Sequence, residues 1–469
     1  MRGLVTSTQA ILWAFLFLAL SLASVAAELE DATPHRRLVL AHYMVCCSHL
    51  GHQATIEQLK SEMNEAYDRG IDGFVLNVGA WSSEPYYKQI TQRMYEAADH
   101  TDRKFRLALS IDGLSLEDSM DAIKLAAKHP SQLRLHNRLF VSSFGGSSKW
   151  ATNLKRATQS LDIDVFFVPY LFYPLADRSL LFGQSNRDTY AASKALGDVP
   201  DLDGYFYFGA ARKPKDLAET FLSLTRAVNG VGKFAMLGIT PYYKGFGPRN
   251  SRVFESNGFE GMKEQWLSAI KAAPDAIELV TWNDWAEATY LAPFGNLRDQ
   301  DVLNYHWGPL LSHSGFLDAS RHYIEWFKSG VEPKIERDKL FYFYRTHLRT
   351  SDSVINLRTG DLGKPDGWQT LNDRVFFTAF LTKPTRFVIS IAEQEHGFDI
   401  PAGISDFSVP MAVGSIQVQM IQNQNIVASK SLEFEIGKVA TSGNFNYFSG
   451  SITPAEAGFR LERKDGNTW

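Results

Sequence analysis

Between residues 37 and about 330 the chain alternates short apolar runs with amphipathic stretches of helical period. No other feature restricts the fold as much. A run that is apolar at every position must be buried on both faces, as a strand is in a parallel sheet covered by helices. The expected strands are 37–45, 73–77, 106–111, 138–144, 164–169, 204–208, 234–239 and 277–281. The expected helices are 56–69, 86–99, 116–128, 149–161, 215–228, 261–272 and 316–329, with an ill-defined crossover through 190–195. About eight βα units in roughly 290 residues predict an α/β chain whose main part is a (β/α)8 TIM-type barrel. A doubly wound open sheet is the alternative. No strand leads into G-x-G-x-x-G or a P-loop, so its nucleotide chemistry has no support.

Beyond about residue 334 the grammar changes. Stretches 339–347, 374–382, 386–393, 415–422 and 432–436 read as short strands separated by turns rich in Gly, Pro, Asn and Asp. They predict a C-terminal antiparallel β-sandwich over 336–469, after a barrel over 37–335. The aromatic run Phe341-Tyr342-Phe343-Tyr344 stands at the junction. It is expected to bury there and hold the second part rigidly on the first.

Residues 1–27 read as an export signal: Arg2, then an uncharged apolar run over 10–22, then Ser24-Val25-Ala26-Ala27. The run is shorter than the ~20 residues that span a bilayer. The expectation is a secreted, extracellular protein (periplasmic if bacterial) with no membrane contact after cleavage. With 48 Lys+Arg against 52 Asp+Glu the net charge is −4, which gives no footing for nucleic acid. There is no H-E-x-x-H, G-x-S-x-G or Walker segment, which argues against metalloprotease, serine hydrolase and NTPase chemistry. A cofactor-free monomer is expected, with no metal. Cys46 and Cys47 are the chain's two cysteines. A bridge between neighbours would be strained, because adjacent Cα atoms sit ~3.8 Å apart. Zinc motifs separate their cysteines, so a metal reading is weak as well.

In a barrel the C-terminal strand ends converge on one mouth. Those positions hold His42, Tyr43, Asn77, Asp112, Ser143, Tyr170, Tyr207, Thr240 and Tyr242, then Trp282-Asn283-Asp284-Trp285-Ala286-Glu287. Most are polar or aromatic although the strands before them are apolar. Asp284 and Glu287 stand three apart beyond the eighth strand, flanked by tryptophans. Two carboxyls in one partly apolar site cannot both ionise freely, and an acid beside a base is what glycosidic cleavage requires. A solvated loop with incidental acids has the same spacing, so the pair counts mainly through its place in the barrel.

Several segments resemble family 71 glycoside hydrolases, the fungal-type α-1,3-glucanases or mutanases. They are Ala41-His42-Tyr43-Met44-Val45, Gly70-Ile71-Asp72-Gly73-Phe74-Val75-Leu76-Asn77, Leu109-Ser110-Ile111-Asp112, Thr281-Trp282-Asn283-Asp284-Trp285-Ala286-Glu287 and His313-Ser314-Gly315-Phe316-Leu317-Asp318. Asp338-Lys339-Leu340 with Tyr344-Arg345 resembles the family's entry to its β domain. The resemblance covers about 37–350. It implies a barrel with a β-sandwich, a polysaccharide substrate and hydrolysis of α-1,3-glucan with inversion. Asp284 and Glu287 match the catalytic pair. Ala286, Ala288 and Phe316 depart from the family's usual Gly, Ser and Trp, and the sixth strand end lacks its Trp-containing form.

Glu287 is expected to be the acid and Asp284 the base, with the two interchangeable on spacing alone. His42, Tyr43, Asn77, Asp112, Tyr170, Tyr242, Trp282, Asn283 and His313 are expected to contact substrate. For His42 and His313 a satisfied structural histidine is the competing reading, and for Asp112 a loop cap. Trp81, Tyr173, Tyr243 and Trp307 are further stacking candidates, each equally suited to loop packing. A catalytically inactive polysaccharide-binding barrel, or a barrel glycosidase for another α-linked polysaccharide such as an α-mannan, are the rival functions.

Overall fold

The structure, a computed structural model, describes residues 37–173, 184–245, 250–294, 310–353, 363–440 and 444–454. The expected export segment and Trp307 lie outside them. Strands and helices alternate as β1 (Leu38–Met44), α1 (Ile56–Tyr67), β2 (Gly73–Val78), α2 (Pro85–Asp99), β3 (Arg106–Asp112), α3 (Leu116–Ala126), β4 (Arg138–Phe144) and α4 (Ser148–Ser160). They continue as β5 (Val165–Tyr170), α5 (Gln184–Asp198), β6 (Gly204–Tyr207), α6 (Pro214–Asn229), β7 (Phe234–Ile239), α7 (Glu260–Ala272), β8 (Ala276–Leu279) and α8 (Ser314–Ser329). The helices start where local chemistry asks them to. Thr55 closes a capping box with Gln58, Ser115 and Ser147 accept from N3 amides, and Pro85 and Pro214 open α2 and α6. The crossover that looks ill-defined in sequence is the 15-residue α5.

The strands pair in parallel in the order β5-β4-β3-β2-β1-β8-β7-β6, and Arg134–Leu135 adds a short antiparallel piece to β4. The sheet curls strongly. Between its end strands the Asp203 amide donates to Phe167 O (3.0 Å), and the Asp203 carboxylate accepts from Phe167 N (2.8 Å), Arg138 and Lys155. Each strand sends alternate side chains to opposite faces. Val39, Ala41 and Tyr43 pack outward among the helices, whereas Leu40 joins an inner cluster. That cluster also contains Val75, Ala108, Phe140, Val168, Phe206, Met236 and Ala276, so every strand from β1 to β8 contributes to it.

The C-terminal part contains β9 (Lys339–Arg345), β10 (His347–Ser353), β11 (Arg374–Leu381), β12 (Thr385–Ile391), β13 (Gln394–Ile400), β14 (Gly403–Pro410), β15 (Ile416–Gln422), β16 (Asn425–Ser431), β17 (Gly437–Ala440) and β18 (Tyr447–Ile452). Two antiparallel sheets, β14-β11-β9-β18 and β13-β12-β15-β16, feed one apolar cluster. Three differences from the sequence expectation stand out. The pair β10–β17 is parallel, not antiparallel. Residues 432–436 form a bend at 433–434 and a single bridge from Ile436 to Gly414 rather than a strand. Strands β10 beyond His347, β13, β14, β16, β17 and β18 have no counterpart in the expected set; β13, β14 and β16 are largely half-exposed and polar, and β18 contains Ser-Gly-Ser.

The junction is buried and rich in aromatic rings. Along β9 the pleat divides the aromatic run, with Phe341 and Phe343 in the barrel-side cluster and Leu340, Tyr342 and Tyr344 in the other. Phe343 meets Phe316 edge-on at 4.7 Å. Gly258 (φ +63°) lets the turn before α7 lie against it, since a Cβ there would stand 2.7 Å from Phe376 Cβ. Arg345, wholly buried, pairs with Glu255 (3.3 Å) and Asp373 (3.1 Å), and the Tyr447 hydroxyl donates to Glu255 (2.6 Å). Among the described residues no helix is long and apolar enough to cross a membrane.

Removing a partner from a buried charge network costs about 3–5 kcal/mol. Arg345→Met is therefore expected to lower stability by about that amount in denaturant titration while both parts still unfold in one transition. Two separated transitions in the unaltered protein would contradict this junction.

Candidate active site

The segment after β8 carries the acids, and it is tied down at nearly every residue. Thr281 N donates to Thr289 O (3.0 Å), and the two threonine hydroxyls meet at 3.0 Å. Trp282 N donates to His42 O (2.7 Å), which fastens the segment to the end of β1. The buried Asn283 side chain closes a pair of bonds with the Met44 backbone, accepting from its N–H (2.7 Å) and donating to its C=O (3.0 Å). Behind the sheet, Trp282 Nε1 and the Tyr43 hydroxyl donate to Glu62 on α1 (2.8 and 3.2 Å).

Within this frame Asp284 N–H donates to Thr281 Oγ1 (2.8 Å), and Asp284 Oδ1 accepts from Glu287 N–H (3.0 Å). Glu287 accepts from the Tyr243 hydroxyl (2.7 Å) and from Asn250 Nδ2 (3.3 Å). Burial raises both carboxyls above their ordinary range. Asp284 is pushed further by the charge of Glu287, whereas Tyr243, Asn250 and the nearby Arg252 oppose the shift of Glu287. Of the two, Asp284 thus has the surroundings that oppose ionisation more. The sequence expectation puts the acid at Glu287 and leaves the two interchangeable on spacing.

Glu287 opens on a cavity of about 210 Å³ whose wall includes Phe144, Tyr170, Phe208, Arg212 and Arg252. Arg212 is held by Asp188, which also accepts from the Tyr207 hydroxyl (2.9 Å). A cavity walled both by aromatic rings and by the polar groups of Arg212, Arg252 and Glu287 suits a sugar ring, which stacks by its CH face and hydrogen-bonds by its rim.

The structure divides the other expected contacts. His42, Asn77 and Asp112 lie on the inner face and are linked: Asn77 Nδ2 stands 3.2 Å from His42 Nε2 and 3.3 Å from Asp112 Oδ2. Burial lifts the Asp112 carboxyl above its usual range, and Asn77 opposes that shift. Tyr170 lines the cavity. Tyr43 and Trp282 are corrections, both fully buried on the outer face against Phe74 with their polar atoms committed to Glu62. Asn283 is the clamp on Met44. Tyr242 and His313 belong to the junction: the Tyr242 hydroxyl donates to Phe445 O (2.8 Å), and His313 bonds Tyr290 O (2.8 Å) and Asn446 (2.9 Å). Burial holds the His313 imidazole down at about 4, hence neutral.

Glu62, Glu278, Asn250, Arg252 and Phe208 join this neighbourhood and are not among the expected contacts. Glu278 carried a visible signal, a lone charge in the apolar run Ala276-Ile277-Glu278-Leu279. Glu62 carried none, since a Glu in an amphipathic helix ordinarily faces water. Cys46 and Cys47, whose state the sequence leaves open, are bonded to one another within the 3-10 turn Val45–Cys47. The Cys47 carbonyl accepts from Trp285 Nε1 (2.7 Å) and Asn283 Nδ2 (3.2 Å), so this turn packs on the acid-bearing segment.

Burial raises Glu62 to about 7. The folded chain then holds a proton that the unfolded chain has lost between about pH 4.5 and 7, so this group's contribution to stability falls as pH rises across that window. Relative to Glu62→Gln, the unaltered protein is expected to lose ~3 kcal/mol between those limits in parallel denaturant titrations. A pH-independent difference would contradict the burial of Glu62.

The model of the family described as glycosyl hydrolase family 71 matches residues 35–460. A mutanase of Penicillium rubens is 25% identical over 449 residues, covering 92% of each chain. A glucan endo-1,3-alpha-glucosidase of Schizosaccharomyces pombe is 23% identical over 453 residues, covering 93% of this chain and 99% of its own. Among solved structures, the GH99 endo-alpha-mannosidase of Bacteroides thetaiotaomicron superposes with a TM-score of 0.46 at 11% identity, over 62% of this chain and 97% of its own.

Proposed function

The chain belongs to glycosyl hydrolase family 71, and on that premise we propose that it is a secreted enzyme that hydrolyses α-1,3-glucan with inversion, using Asp284 and Glu287. The observation that carries the mechanism is the unequal surroundings of the two acids. Glu287 has a phenol, an amide and a nearby guanidinium to offset its burial, while Asp284 has burial and the charge of Glu287 against ionisation and only the backbone N–H groups of Ala286 and Glu287 in its favour.

In this mechanism Glu287, as carboxylate, takes a proton from a water whose oxygen attacks the anomeric carbon. The bond to the leaving oxygen breaks as Asp284 gives that oxygen its proton. Exchange with solvent resets both groups. The relatives named as a mutanase and an endo-1,3-alpha-glucosidase support the substrate. Tyr170, Phe144 and Phe208 would stack on sugar rings, and Asp112 and Asn77 would bind hydroxyls.

The inner cluster, fed by every strand, supports closure of the curled sheet as a (β/α)8 barrel over 37–335. The common core of the two antiparallel sheets supports a β-sandwich over 336–469. The leader ends after residue 26 or 27, and the mature protein is a monomer that needs no cofactor.

Glu287→Gln and Asp284→Asn are each expected to lower turnover at least ~10²-fold without unfolding the chain. A substrate with a good leaving group should partly rescue Asp284→Asn alone. Proton NMR of the first product released from α-1,3-glucan should show the β-anomer. Rescue of Glu287→Gln in place of Asp284→Asn would swap the roles. A folded, unaltered protein releasing no product from any glucan would leave only polysaccharide binding.

A further inference from the structure

Glu278 is the one charged residue of β8, and its side chain is wholly buried on the inner face of the sheet. Its neighbours there, Leu40, Met236 and Ala276, would accommodate leucine. A carboxylate in such surroundings costs free energy unless it does something specific. One oxygen, Oε2, has no hydrogen-bond partner among the described residues. The other lies 2.5 Å from His42 Nδ1.

This contact begins a line that crosses four neighbouring strands. Glu278 is in register with Leu40, and His42 stands two residues beyond Leu40. His42 is in register with Val75, and Asn77 stands two beyond that. Asn77 is in register with Ser110, and Asp112 stands two beyond that. Each step keeps to the same face and climbs two residues towards the C-terminal end. The staggered strands therefore turn four sequence-distant residues into one diagonal, from the buried middle of the sheet to its mouth.

With the Glu278 and Asp112 carboxyls both ionised, one arrangement of protons satisfies the whole line. Asn77 Nδ2 carries two hydrogens and lies within reach of both His42 Nε2 and Asp112 Oδ2. Turning the amide over would place its oxygen against the Asp112 carboxylate. Nε2 of His42 must then accept, so the imidazole proton is on Nδ1 and Glu278 accepts it. The edge of the Phe208 ring, centroids 5.2 Å apart, keeps the imidazole from swinging.

We propose that Glu278 is a positioning residue: by accepting from His42 Nδ1 it sets the histidine tautomer, which locks the Asn77 amide and through it aims the Asp112 carboxylate at the substrate. This rests on the reading of Asp112 as a substrate contact.

Two measurements test it. In protein carrying 15N-histidine, with His42 assigned by the loss of its signals in His42→Gln, the unaltered enzyme should show His42 protonated at Nδ1 and bare at Nε2. The opposite tautomer would overturn the proposal, and this readout does not depend on activity. In steady-state kinetics on a soluble α-1,3-linked oligosaccharide, Glu278→Leu and Asp112→Asn should each lower kcat/KM ~10²-fold per folded molecule. The double variant should fall no further than ~3-fold below either, because both break one line. A product of the two losses, or a folded Glu278→Leu enzyme at full kcat/KM, would overturn it. If Glu278→Leu does not fold, Glu278→Gln replaces it, with ~10-fold expected and full activity contradictory. An unaltered protein that cleaves no α-1,3-glucan would instead defeat the proposed function, leaving the tautomer to decide this inference.

Discussion

The amide of Asn283 holds both the N–H and the C=O of Met44, and the site depends on that clamp. It joins the segment after β8 to the end of β1, the neighbouring strand in the sheet, at the level where substrate must enter. With Trp282 N–H on His42 O and Trp282 Nε1 on Glu62, it leaves the next few residues little freedom. Asp284 and Glu287 can then differ in protonation through fixed surroundings rather than through sequence spacing. Preorganisation of this kind is where enzymes obtain much of their rate.

The clamp itself needs support from both sides. Behind it, α1 delivers Glu62 into a dry layer of Tyr43, Phe74 and Trp282. Farther along the same segment, Tyr290 stacks on His313 at 4.3 Å, and His313 reaches Asn446 in the C-terminal part. The β sheets are therefore coupled to the acid-bearing segment through a short run of packed rings. The second part is thereby packed against the acid-bearing segment.

Much of this was legible in the sequence. Strand runs such as 234–239 and 138–144 appear as expected because burial on both faces leaves an uninterrupted apolar signature. The half-exposed strands β13, β14 and β16 escaped because polar residues in a hairpin resemble a loop until a partner strand is known. Of the residues that sequence places at strand ends, His42, Asn77 and Asp112 are linked on the inner face, and Asp284 is hydrogen-bonded to Glu287. Tyr43, Trp282, Asn283, Tyr242 and His313 sit at the same level but point away from the mouth. Sequence gives the height of a residue on a strand, whereas the pleat and the following turn decide which way it faces. The role of Glu62 is evident only with α1 beside β1, and the lone charge of Glu278, visible in its apolar run, meets its partner His42 only with β1 and β8 side by side.

The central claim is that this frame serves hydrolysis of an α-1,3-linked glucan. Its most direct test is reducing-end release by the purified protein from insoluble α-1,3-glucan, set against α-1,4-glucan, β-1,3-glucan and α-mannan at equal mass. The account predicts release from the α-1,3-glucan, with the other three at the level of a no-enzyme blank. Release from α-mannan or β-1,3-glucan with none from α-1,3-glucan would contradict it.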